Sequence, residues 1–175
     1  MSRPPSQPVC EPEQIAPPKY PFLSPGYLAA FHGYLVAKTD EFVGMLESRD
    51  FILCETYTGV PPAVNNSAHV SIVWGFEKGR LVFGSDDRED VTIRVRATWA
   101  AAEPLARIVF SEDPDASERL QAILSRGAEE HTFSVMYNGE PPPFAGVVQD
   151  DLARLTCPPV QAGLTSDSTD ERSVK

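Results

Sequence analysis

Apolar and polar positions change their rhythm several times along the chain, and each change predicts an element. Ser24 followed by Pro25 is a helix start, a hydroxyl N-cap with proline at the first helical position, where no amide hydrogen is needed. Tyr27, Phe31, Tyr34 and Leu35 then recur at spacings of three and four, which predicts a helix burying one stripe. Gly33 and Gly44 weaken it, and Thr39 with Asp40 offer a point at which a second helix restarts and runs to about Ser48. Phe51 to Thr58 reads as a strand. Val70, Ile72, Trp74 and Phe76 alternate with smaller residues, Lys78 and Gly79 supply a turn, and Leu81 to Phe83 begins the return of a hairpin. Val91, Ile93 and Val95 alternate with Thr92, Arg94 and Arg96, the period-two pattern of a strand with one buried face.

Helical spacing then returns. Thr98 caps a segment carrying Trp99, Ala102, Leu105, Ala106 and Val109, with Pro104 placed to kink or split it. Asp113 is the expected N-cap of the next helix, Pro114 its first-turn proline, Ala116, Leu120, Ile123 and Leu124 its apolar face, and Gly127 its end. A last strand over about Thr132 to Tyr137 puts Phe133, Val135 and Tyr137 on one side, and a short helix lies near Gln149 to Leu155. Strand runs set apart from helix runs predict an α+β layer fold.

Length and charge narrow this picture. The 175 residues, 42% of them hydrophobic, suffice for one core, so a single domain over 20–157 is expected between a proline-rich arm at 1–19 and a disordered tail at 158–175. Eight of the seventeen prolines fall within the first 25 residues, which excludes helix and ladder from most of that stretch. A formal charge of -10 and a pI near 4.7 exclude a binder of nucleic-acid backbones, which would gather Lys and Arg on one face. The N-terminus has no apolar run of a signal peptide, and no stretch approaches the roughly 20 residues of a membrane-crossing helix. Three cysteines without CxxC spacing fit reduced thiols, so a cytoplasmic protein is expected.

Candidate chemistry is sparse. His32, His69 and His131 sit on three different elements without metal-ligand spacing, so structural or surface roles are expected for them. Cys54, in an apolar run with no adjacent cation, reads as a packed residue. The acidic groups Asp86, Asp87, Glu89, Asp90 and Glu112, Asp113, Asp115 lack EF-hand spacing, and Gly75, Gly79 and Gly84 form no GxGxxG. No cofactor is expected. The aromatic set Trp74, Phe76, Phe83, Trp99 and Phe133 is either solid core or the lining of a cavity.

Taken together, the opening Tyr20-Pro21-Phe22-Leu23-Ser24-Pro25, the hairpin, the strand Asp90 to Arg96 running into Thr98 and Trp99, and the helix Asp113 to Gly127 resemble bacterial proteins of the sterol carrier protein-2 family over about Tyr20 to Thr156. The resemblance implies a mostly antiparallel sheet of about five strands covered on one face by helices, with a lipid-binding tunnel between the layers. Its lining would come from the apolar sides of strands 70–76 and 91–95 and of helices 98–110 and 114–126, with Val70, Ile72, Trp74, Phe76, Phe83, Trp99, Leu120, Ile123, Leu124 and Phe133 as the candidate residues. The family's Gly-Asp turn before the final helix is replaced here by Asn138-Gly139-Glu140 and Pro141-Pro142-Pro143, and the tail Ser173 to Lys175 is not a peroxisomal tripeptide.

The expected function is binding or carriage of an apolar small molecule, a lipid, steroid or acyl chain, with no catalytic residue. A rival is a cone-shaped α+β enzyme of the steroid isomerase or polyketide cyclase type. It needs a carboxylate or histidine aimed into the cavity, for which Glu55, His69 and His131 are the candidates. A third reading is a non-catalytic subunit of a larger enzyme, a protein partner for which the proline-rich arm and the acidic surface are the docking elements.

Overall fold

The computed structural model describes residues 18–158, so the expected arm and tail lie outside the described residues apart from their innermost positions. The chain opens with β1 (Tyr20–Pro21) and enters α1 (Pro25–Met45), where Ser24 Oγ accepts from the Tyr27 amide at 3.2 Å. α1 is one continuous helix rather than two. Thr39 does not restart it, because its hydroxyl donates back to the Leu35 carbonyl at 2.9 Å, and burial of Tyr27, Phe31, Leu35 and Phe42 along one stripe outweighs the two glycines.

β2 (Phe51–Thr58) follows, then the hairpin of β3 (His69–Glu77) and β4 (Arg80–Gly84), whose turn residues Lys78 and Gly79 have φ of 51° and 71°. β5 (Ile93–Thr98) runs into the single-turn α2 (Trp99–Ala102), capped by Thr98 Oγ1, which accepts from the Ala101 amide. Pro104 ends that turn, and only a 3-10 turn at Leu105–Arg107 follows, so the long helix expected over 98–110 is broken into two short pieces.

α3 (Ala116–Glu129) starts later and ends later than expected. Asp113 closes a turn before the helix, its Oδ1 accepting from the Asp115 amide at 2.9 Å. Gly127 lies within the helix because a Cβ there would fall 2.4 Å from the Cβ of Phe133, so its role is close helix-to-strand packing, not termination. β6 (Phe133–Tyr137), α4 (Ala145–Arg154) and β7 (Thr156–Cys157) complete the chain, α4 starting ahead of the expected Gln149.

The main sheet has five strands in the order β4-β3-β2-β5-β6 and is mixed, since β2 and β5 run parallel while the other pairs are antiparallel. β1 and β7 form a separate parallel pair that ties the ends of the described fold together. The helices lie over one face of the main sheet, the face bearing Phe51, Tyr57, Ile72, Trp74, Phe76 and Phe133. On the opposite face a smaller cluster of Ile52, Cys54, Val73 and Val91 is covered by the segment before β5. There Asp87 pairs with the buried Arg94, which also donates to the Arg88 carbonyl. Gly75 makes the β2–β3 pairing possible: its φ is 150°, and a Cβ would fall 2.0 Å from the Phe51 carbonyl oxygen.

Candidate functional site

Register aligns side chains in rows across the covered face. One row runs Tyr137, Ile93, Leu53, Trp74 and Phe83; the next runs Val135, Val95, Glu55 and Ile72; a third runs Phe133, Ala97, Tyr57 and Val70. The central positions of such a face should be the driest. Instead Leu53 and Glu55 of the central β2 and Val95 of β5 keep accessible surface, whereas Tyr57, Ile72, Trp74 and Phe133 around them are buried. The helices therefore bridge over the middle of the sheet without filling it.

The space beneath them is a cavity of about 320 Å³, walled by the sheet, by Leu120 and Leu124 of α3, by Leu105 and Ala106, and by Val148 and Leu152 of α4. That is at the small end of ligand sites and has room for about ten water-sized groups at ~30 Å³ each. Its exposed lining residues are Tyr137 and Pro141, which put the mouth at the end of β6, and Pro142 and Ala145 continue the same wall. Pro141 and Pro142 thus shape the rim.

One ionisable carboxylate faces this apolar space. Glu55 lies deep in the protein, with Oε1 accepting from the Tyr57 hydroxyl at 2.9 Å and Oε2 from Trp74 Nε1 at 3.2 Å. No Lys, Arg or His is among the lining residues. Loss of solvent raises the Glu55 pKa above its ordinary value, and the bonds from Tyr57 and Trp74 offset this only in part. Burial and the neighbouring Glu55 charge push the Tyr27 and Tyr57 phenols up as well, so both remain protonated. The Tyr27 hydroxyl has no hydrogen-bond partner among the described residues, which leaves a second polar group free at this end of the cavity.

Glu55 makes stability depend on pH. A carboxyl whose pKa is raised by folding binds more protons folded than unfolded, so its contribution is full below about 4.5, the ordinary glutamate value, and is lost as pH rises through the folded value. Denaturant midpoints of Glu55→Gln should therefore exceed those of the parent protein at neutral pH, the advantage shrinking as pH falls toward 4.5. A constant difference across pH would show that Glu55 is not desolvated.

Of the ten residues expected to line the tunnel, Ile72, Trp74, Leu120, Leu124 and Phe133 come together around the cavity. The others do not reach it. Val70 is buried in the row beyond, and Phe76 is walled off by Phe42 and Phe144 at ring distances of 6.2 and 6.0 Å. Phe83 packs edge-on against Phe31 at 5.6 Å and lies beside His32 at 4.8 Å. Trp99 turns toward β1, its indole donating to the Phe22 carbonyl at 3.4 Å. Ile123, one position from the cavity-facing Leu124, lines a separate surface hollow with Thr98 and Pro104.

His69 and His131 line a shallow hollow on the uncovered face, with Arg96 and Ser71, away from the cavity. Cys54 has Arg94 at 3.8 Å, a cation brought there by folding, yet Arg94 is already paired with Asp87 and burial pushes the thiol up. Four of the seven acidic side chains singled out from sequence are held in ion pairs, Asp87 with Arg94, Asp90 with Arg88, Glu112 with Arg154 and Asp113 with Arg119. Among the described residues no three His, Cys, Asp or Glu side chains gather as a metal site, and no helix is long and apolar enough to cross a membrane.

Tyr27, Leu53, Tyr57 and Val135 were not anticipated as lining, whereas Val95 belongs to the apolar side of the strand expected there. The signal was present in β2, where Phe51, Leu53, Glu55 and Tyr57 share one face by alternation, so that a carboxylate stands inside an apolar row.

An α+β protein with a helix-covered sheet and an apolar cavity carrying one carboxylate is the class these features define. No family model matches the chain, and no curated protein matches it. Solved structures similar to it include domain 2 of the sterol carrier protein of Helicoverpa armigera, at 11% identity over 73% of this chain and 86% of that one, with a TM-score of 0.43. A conserved hypothetical protein of Thermus thermophilus, TT1886, named with sterol carrier protein as its suggested class, is similar at 10% identity over 85% of this chain and 98% of that one, TM-score 0.41. A ubiquinone synthesis protein, UbiJ-SCP2, is similar at 13% identity over 75% of this chain and 96% of that one, TM-score 0.33. These likenesses are distant, and the reading of the site rests on its own geometry.

Proposed function

We propose that the protein binds an apolar small molecule, of the lipid, steroid or acyl-chain kind, in the cavity between sheet and helices. The observation that carries this reading is the accessible surface kept by Leu53 and Glu55 on the central strand and by Val95 on its neighbour, in the middle of a face that helices cover. A packed core would have closed over them, because interiors fill to crystal density. Sequestration needs no other group, and the apolar lining supplies the affinity at about 25 cal/mol per Å² removed from water.

Trp74 lines the cavity and bonds to Glu55, so its emission reports occupancy. Titration with octane, whose eight carbons match the space, is expected to shift that emission saturably at one equivalent. A linear, non-saturating response to octane and to octan-1-ol alike would end the reading. The isomerase alternative keeps Glu55 as an inward-facing base but loses both histidines, which lie on the other face of the sheet. The third alternative, a non-catalytic subunit of a larger enzyme, would dock through the acidic surface and through the proline-rich arm, of which the arm lies outside the described residues.

A further inference from the structure

We infer that the molecule taken by this cavity carries a hydroxyl group, seated at the inner end against Glu55, and that molecules ending in a carboxylate are rejected there. The inference rests on the cavity being a binding site and adds what the polar end of its occupant must be.

The argument starts from lone pairs. A carboxylate offers about four acceptor positions, two on each oxygen, and the protein fills one on each, from Tyr57 and from Trp74. The remaining pair is exposed to the cavity, since Glu55 retains accessible surface although it lies deep in the fold. A buried polar group left without a partner is costly, so an occupant that is hydrocarbon throughout would strand Glu55 when it expels water.

Three kinds of chain end meet this site differently. A hydroxyl donates to an ionised Glu55 and accepts from a protonated one, so it suits the site in both states. The free Tyr27 hydroxyl offers such a group a second contact on the same side, its phenol being close enough to Glu55 to feel that charge. A carboxylate brings a second negative charge into a space that no Lys, Arg or His lines. A methyl end gains nothing and leaves the remaining lone pairs of the Glu55 oxygens without a donor.

The experiment uses the full chain and three probes of one length, octan-1-ol, octane and octanoate, at pH 7.5. Binding is read from Trp74 emission and confirmed by calorimetry. Glu55→Leu is expected to weaken octan-1-ol by at least about tenfold, the loss of one hydrogen bond to a charged group, while octane stays within about threefold or tightens. Glu55→Gln, which keeps the shape and removes the charge, is expected to tighten octanoate by at least about tenfold. This second variant decides the matter if Glu55→Leu does not fold. Octan-1-ol indifferent to Glu55→Leu, or octanoate indifferent to Glu55→Gln, overturns the assignment of the polar end while octane binding still stands. Failure of all three probes to bind the parent protein overturns the cavity reading itself, and this inference with it.

Discussion

Leu124→Trp and Leu120→Trp are expected to weaken octane by at least about tenfold, or about 1.4 kcal/mol, with little change in stability. Both leucines project from α3 into the cavity and are only partly buried, so an indole there enters empty space rather than its neighbours. Ile123→Trp on the same helix is the control. Its side chain lines a surface hollow on another side, so the same enlargement should leave octane binding unchanged. The contrast separates a cavity from a solid core by sign. In a packed interior Leu124→Trp would cost about 1 to 3 kcal/mol through forced rotamers and backbone shifts. Destabilisation of that size, with octane affinity the same in the variant as in the parent protein, would show that the space between α3 and the sheet is occupied by protein.

Much of the layer architecture was legible because strand alternation and helix periodicity are local signals. The faces of β3 and β5 and the hairpin turn at Lys78 and Gly79 follow from residues a few positions apart. Parallel pairing of β2 with β5 was not legible, since nothing in Phe51 to Thr58 or Ile93 to Thr98 states which neighbour each strand will take. Helix ends were misplaced where a marker had another use. Gly127 serves contact with Phe133 rather than a C-cap, and Asp113 closes a turn ahead of α3.

The site was legible at the level of faces but not of depth. Periodicity assigned Leu120, Leu124, Ile72, Trp74 and Phe133 to inward faces. It equally assigned Phe76 and Phe83, which face inward but stand over α1 and its aromatic neighbours rather than over the void. Which inward residues meet a gap depends on where the covering helices end, and Pro104 sets that by breaking the segment after β5 into two short pieces. Glu55 was visible as a carboxylate among apolar neighbours. Its partners Tyr57 and Trp74 come from the same strand and from the antiparallel neighbour, a pairing fixed only once β2 and β3 are in register.

Phe144→Ala is expected to cost about 3 to 5 kcal/mol, the largest stability loss from a single truncation among the cavity's supports. Nothing in the sequence pattern singled this residue out, because it follows three prolines and precedes α4 without belonging to a periodic stripe. In the fold it is fully buried, stacked on Phe42 at 4.4 Å with an interplanar angle of 21°, and meets Phe51 and Phe76 edge-on at 6.0 Å each. The ring thus pins the proline segment and the first turn of α4 onto α1 and the sheet, with the Val148 amide donating to the Phe144 carbonyl at 3.0 Å. Pro141, Pro142, Val148 and Leu152 on either side of it line the cavity, so the same ring holds one wall of the site. Removing it leaves a void between four elements that cannot all move inward. The melting temperature should fall by roughly 10 °C, at ~3 °C per kcal/mol for a domain of this size. Octane affinity should fall with it at temperatures where the variant is still folded, because the rim loses its anchor. Phe144→Leu, which keeps most of the volume, should lose less than half as much. A change below about 1 kcal/mol for Phe144→Ala would mean that the proline segment is held by its own backbone and that the cavity wall does not depend on this ring.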